Sequence, residues 1–469
     1  MPRTITSACR ASGALILARC RGRLLPFAAL AVLLGFPFAA LAIGQLPNEA
    51  EHAAVRYTET QATDVVVQLQ KRIDSGEVKL QFDPRHGYLP AVLDALKVPV
   101  SSQGLVFSRT SLQVDHIAPW APRAVYFNDN VYVGWVQHGP IMEIASADPK
   151  LGAVFYTLNQ QQTDHPVFER QGQTCLQCHD SSSTTGGVPG FILRSVLVDR
   201  QGYVISPLSD GPTTDRTPID ERWGGWYVTG TNGDQGHLGN LFAPMLASEV
   251  TNAHTLLAKL DRSANANVTD LGKRFDVHPY LAPTSDIVAL LVLAHQAYVH
   301  NLITIASFET RKALYDEKLL LASRGAPEGS PHLDVTMMRV QGAGERLVRA
   351  MLFSKEAPLA SPVKGTSGFA AEFVSHGPKD SQGRSLRDLD LNTRVFKYPL
   401  SYLIYSEDFD ALPPLVKEYV YRRLNVVLSG ADTSGDFDLS AADRQAILAI
   451  LRDTKPDFTA FTANKTVAH

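Results

Sequence analysis

The apolar stretch from Ile287 to Leu320, opened by Thr284-Ser285-Asp286, constrains this chain more than any other. Short polar side chains ahead of an apolar run can accept from the first free N–H groups of a helix, so a long helix is predicted to start at Ile287. His295 falls on one face with Val288, Leu291, Val299 and Leu302, which predicts burial. A lone histidine on such a face is more often a satisfied core group than a ligand. His300, five residues on, points about 140° away, so the two would not easily serve one ion.

Upstream the rhythm is different. Leu105-Val106-Phe107, Ala124 to Phe127, Val131 to Val136, Ile141 to Ile144 and Ala153 to Leu158 are β-branched and aromatic runs, and Asn128-Asp129-Asn130 reads as a hairpin turn. Strands are also expected at Phe191 to Val198, Tyr203 to Ser206 and around Gly224 to Gly230, with polar loops at 159–174 and 181–187. Before them, Ala62 to Ile73 and Pro90 to Leu96 carry helical spacing. Beyond residue 245 further helices are predicted at Val335 to Phe353, Phe369 to Val374, Pro414 to Leu428 and Ala441 to Leu451. The expected class is α+β, with a β-rich region over 43–250 followed by an α-helical region over 251–469.

Residues 1–42 read as a targeting segment: five arginines without an acid, an apolar run from Leu24 to Leu41, and a small-x-small end at Ala40-Leu41-Ala42. Cleavage is expected after Ala42, giving an exported, periplasmic protein; the alternative is an uncleaved N-terminal anchor. No second apolar run reads as membrane-spanning. With a net charge of -3, nucleic acid is not an expected partner, because phosphate binding needs clustered basic surface. Of the 4 cysteines, Cys9 and Cys20 would leave with the signal, so only Cys175 and Cys178 remain and no disulfide framework is expected.

Those two cysteines lie in Cys175-Leu176-Gln177-Cys178-His179, two thiols three apart with a histidine directly after. The spacing lets both thiols add to the two vinyl groups of one porphyrin and delivers the next imidazole to its iron. A redox-active dithiol and half of a zinc site are the alternatives, although no second Cys/His pair exists to complete four zinc ligands. In these five residues the chain resembles c-type cytochromes. The resemblance implies one covalent haem c, with Cys175 and Cys178 as thioether sites and His179 as the proximal iron ligand. It does not extend to a domain: the motif follows more than a hundred residues of mostly strand-like sequence, so a simple small cytochrome c domain is not expected.

The sixth ligand would decide the chemistry, since a filled site suits electron transfer and an open one permits ligand binding or catalysis. His237, in the glycine-rich Gly236-His237-Leu238-Gly239, is the favoured candidate metal ligand, ahead of Met245 and His295. The four tryptophans, Trp120, Trp135, Trp223 and Trp226, suit either a pocket wall or a sheet core. Arg216 or Arg222 could steer a haem propionate or make surface ion pairs. Asp432, Ser434, Asp436, Asp438 and Asp443 have the spacing of a calcium loop, but Phe437 replaces the required glycine and Asp443 the bidentate glutamate, so a solvated acidic loop is expected. The function expected is electron transfer with a periplasmic redox partner protein. The alternatives are a haem oxidoreductase with an open distal site, acting on a peroxide or a nitrogen oxide, and a redox or gas sensor.

Overall fold

Seven strands of the first half pair into one antiparallel sheet in a computed structural model that describes residues 49–207, 211–243 and 260–466. The predicted export segment and Met245 lie outside the described residues. The strands are β1 (Gly104–Val106), β2 (Arg123–Phe127), β3 (Val131–Trp135), β4 (Ile141–Asp148), β5 (Gly152–Asn159), β6 (Phe168–Gln171) and, after two further strands, β9 (Trp226–Tyr227). Their order is β6-β5-β4-β3-β2-β1-β9. At the β2–β3 connection the Asn128 side chain accepts from the N–H groups of Asn130 and Val131, an Asx turn that sets the register Phe127↔Tyr132. β6 forms inside what reads in sequence as a polar loop, because Phe168 to Gln171 pair with β5 along an edge where one side can stay polar. β7 (Val196–Val198) and β8 (Val204–Pro207) make a small separate hairpin, and β10 (Gly230–Thr231) pairs with β11 (Lys364–Gly365). Of the strand expected over Phe191 to Val198, only the last three residues pair regularly; Phe191 instead bonds through both backbone groups to the Asn301 side chain.

The two faces of the large sheet carry different partners. On one face α1 (Val65–Asp74) and α2 (Leu89–Ala95) cover the strands, and Tyr156 reaches Asp64, the α1 N-cap, at 2.5 Å. The other face receives α3 (Gln173–His179) and α4 (Ile287–Ser323). α4 starts where Asp286 accepts from Val288 and Ala289, as the capping pattern implies. Helix α4 then crosses the sheet: Leu290 meets Gly104 of β1, Gln296 bonds Tyr132 of β3, and Thr304 meets Gly152 of β5. By length and composition α4 could span a membrane, contrary to the sequence reading, yet 94% of its most apolar window is buried within the protein. It is the central core helix, shared by the sheet and the remaining helices.

Those helices are α5 (Asp334–Met351), α6 (Phe369–Ser375), the single turn α7 (Glu407–Asp410), α8 (Pro414–Leu428), α9 (Ala441–Thr454) and α10 (Pro456–Thr466). α10 escapes a periodicity search because its apolar residues do not form a clean stripe. From Pro47 on, strands and helices form one compact unit. The architecture is α+β, with the antiparallel sheet in the N-terminal half and most helices in the C-terminal half.

Candidate functional site

α3 follows β6 after a single residue, Gly172, so the sheet edge dictates where the motif stands. Positions i, i+3 and i+4 of a helix share a face, which puts Cys175, Cys178 and His179 together. Leu176 points inward and is buried, Cys175 is half-buried and Cys178 is exposed; both thiols are free. The edge of the motif that would meet a large planar ligand is therefore open to solvent.

His179 is held from two sides. Its Nδ1 lies 2.9 Å from the Gly190 carbonyl oxygen, and its ring centroid is 4.6 Å from that of Phe155 on β5. A carbonyl can only accept, so the proton sits on Nδ1 and Nε2 keeps its lone pair. Among the described residues Nε2 has no hydrogen-bonding partner. Burial holds the imidazole below the usual histidine pKa, which keeps it neutral; the nearby Arg123 cation adds to the shift, while the Gly190 carbonyl and the Glu143 carboxylate oppose it. This is the state a metal-ligating histidine needs, with its second nitrogen fixed by a backbone carbonyl.

Gly190 reaches this position because it has no side chain. A Cβ there would stand 2.5 Å from the Asn301 side-chain oxygen and 2.9 Å from Thr185 Cβ. The stretch before it, which reads as a loose polar loop, is a built turn: the Thr185 hydroxyl donates to the Ser181 carbonyl and accepts from the Ser181 N–H, and Thr184 and Thr185 are buried. Gly190, Phe155, Arg123 and Glu143 carry no sequence signal that would have singled them out.

Cys175 behaves unlike a reactive dithiol. Burial pushes its thiol up to about 11, with the Glu143 carboxylate and Cys178 adding to the shift. Redox-active cysteines have depressed pKa values, so this environment disfavours the dithiol alternative. Among the described residues no three His, Cys, Asp or Glu side chains cluster as a site for a bare metal ion.

The structure does not bring His237 to His179. The backbone beside His179 is tied to Asn301, through Phe191. The loop carrying His237 is tied through Asn240 to Val228, and the neighbouring Thr229 bonds Ile287 at the other end of α4. Fourteen helical residues separate those anchor points, about 21 Å at 1.5 Å per residue, more than one iron can bridge. His237 is buried, stands edge-on to Trp223 with centroids 5.3 Å apart, and its Nδ1 lacks a well-formed hydrogen bond. Burial pushes its pKa down to about 4.

The other candidates are engaged elsewhere. His295 Nδ1 lies 2.8 Å from Asp215 and Nε2 2.8 Å from the Ser401 hydroxyl, with the ring stacked on Phe353. His300 pairs with Asp408 at 2.7 Å and with the Asp129 carbonyl at 2.9 Å. Both are satisfied core histidines, as the helical pattern predicts for His295. Met142 lies on the opposite face of β4 from Glu143 and is fully buried. Trp135, Trp223 and Trp226 are core residues, whereas Trp120 is exposed. Arg222 is not a propionate anchor: it is buried and donates to the carbonyls of Thr217 and Asp215, and Arg216 donates to that of Ser354. In the acidic loop Asp432 pairs with Arg423 and Asp436 with Arg349, while Asp443 completes a capping box with Ser440 at the start of α9.

Set beside family models, curated proteins and solved structures, the chain matches none.

Proposed function

We propose that Cys175 and Cys178 bind one haem c covalently, that His179 Nε2 is its proximal iron ligand, and that the protein transfers electrons. When bound, the haem would supply one-electron chemistry. The observation that carries this reading is the His179 geometry: a neutral imidazole on the same helical face as two free thiols, with Nδ1 tied to Gly190 and Nε2 unengaged. The chain's own part is to orient that ring, to shield one side of it with Phe155, and to leave the thiol edge of α3 accessible. Export to the periplasm, where a redox partner protein would meet the exposed edge at Cys178, belongs to the same proposal.

The test is covalent haem that survives a denaturing gel in the wild type and is lost in the double variant Cys175→Ala, Cys178→Ala. A double variant that still carries haem through the gel would refute the assignment. A second reading, a haem enzyme with an open sixth position, is favoured by one observation: among the candidates in the described residues, which do not include Met245, His237, His295, His300 and Met142 are all placed or bonded away from His179. Reduced protein whose absorption bands shift under carbon monoxide would select it; bands indifferent to carbon monoxide would select electron transfer.

A further inference from the structure

His179 and Asn301 hold one peptide unit from its two sides. The carbonyl of Gly190 and the N–H of Phe191 belong to the same planar amide. His179 Nδ1–H donates to that carbonyl at 2.9 Å, and the Asn301 side-chain oxygen accepts from that N–H at 2.8 Å. Two further bonds fix the unit. The Asn301 side-chain nitrogen donates to the Phe191 carbonyl at 2.8 Å, and the Gly190 N–H donates to the backbone carbonyl of His179 at 2.9 Å. One residue earlier, the Pro189 carbonyl accepts from the Ala153 N–H on β5 at 3.0 Å.

Asn301 stands in the middle of α4 and is 4% exposed, with Val299, Leu302 and Ile303 as buried neighbours along the helix. A buried amide is costly unless it is bonded, and here its oxygen and its nitrogen both serve Phe191. The amide has one possible orientation, since reversing it would set donor against donor and acceptor against acceptor. Hydrogen bonds in a chain polarise one another, more so in a low-dielectric interior. An acceptor on the Phe191 N–H leaves more negative charge on the Gly190 oxygen. That oxygen pulls harder on the Nδ1 proton, and electron density moves towards Nε2.

We propose that Asn301 is a positioning residue for His179: through the Gly190–Phe191 peptide it fixes the imidazole and raises the donor strength of Nε2 towards the iron of the haem attached at Cys175 and Cys178. This rests on the haem reading above. A stronger nitrogen donor favours the ferric state, so Asn301 holds the midpoint potential lower than the same site would have without it.

The test is a spectroscopic redox titration of the haem-loaded wild type, Asn301→Leu, and Gln296→Leu as a control. Leucine is close to asparagine in size but offers no acceptor. Gln296 is also buried on α4, yet its side-chain nitrogen donates to the Asn128 carbonyl and the Tyr132 hydroxyl. The expected result is a higher potential in Asn301→Leu and no change in Gln296→Leu. A merely structural role would have the opposite sign, because loosened packing admits water, which favours the more highly charged ferric haem. Loaded Asn301→Leu at or below the wild-type potential, or an equal rise in the control, overturns the relay and leaves the haem reading intact. A wild type that holds no covalent haem overturns both. Should Asn301→Leu not accumulate, NMR of the reduced, carbon monoxide-treated wild type decides. Scalar couplings across the Phe191–Asn301 and His179–Gly190 hydrogen bonds are expected; the absence of either overturns the relay.

Discussion

His300 Nδ1 and Asp408 Oδ2 lie 2.7 Å apart with both side chains almost wholly buried, one on α4 and the other on α7. Burial alone would lower the histidine pKa, but the Asp408 charge and hydrogen bond, helped by the Asp129 carbonyl, raise it; Asp408 is lowered in turn, chiefly through His300 against its own burial. Removing one partner strands a buried charge. Asp408→Ala is therefore expected to cost about 3–5 kcal/mol, read as a lower denaturation midpoint. The pH dependence has two arms. The histidine's contribution is complete below its unfolded pKa and fades as pH rises through its raised folded value; the aspartate's is complete above its unfolded pKa and fades as pH falls through its lowered one.

Glu356 behaves in the opposite sense. Burial, aided by the Asp215 charge, pushes its carboxyl up to about 7. A carboxyl that holds its proton more tightly when folded contributes stability at low pH and loses it as pH rises from its unfolded value to about 7. Glu356→Gln is expected to flatten the decline in Tm over that interval; a wild-type slope in the variant would refute the assignment.

How much of this was legible in the residues differs by element. Asp286 and the run behind it announce α4, because capping and helical spacing act locally. α8 is likewise read to the residue, Pro414–Leu428. The motif is legible for the same reason, since all its chemistry lies within five positions. What supports it is not. Gly190 is recognised only once Asn301, more than a hundred residues later, packs against it, and the weak strand β6 only once β5 supplies a partner. His237 attracts notice by its glycines, yet its distance from His179 is set by where two loops grip α4, which no local pattern encodes.

The Asp286 carboxylate does more than cap. One oxygen accepts from Val288 and Ala289, and the other accepts from the Thr366 and Ser367 N–H groups and the Ser367 hydroxyl. A simple cap is worth about 1 kcal/mol. Because the Thr366 and Ser367 N–H groups would also lose their acceptor at a partly buried position, Asp286→Ala is expected to exceed about 2 kcal/mol by chemical denaturation. Asp286→Asn is expected to lose less.

The acidic loop before α9 should ignore calcium. Asp432 and Asp436 already have arginine partners at 2.7 Å each. Adding calcium or a chelator is expected to leave Tm unchanged; a rise with calcium would show that the ion displaces Arg423 and Arg349.

The pairing of β1 with β9, Leu105 opposite Tyr227, has a consequence for how the chain folds. These residues are about 120 positions apart, and the entropy of closing so long a loop must be met before the contact returns anything. The whole of α3 and its supporting turn lie inside that loop. The site is thus enclosed by the slowest join in the sheet, and until that join forms the thiols stand on a ribbon still open at one side.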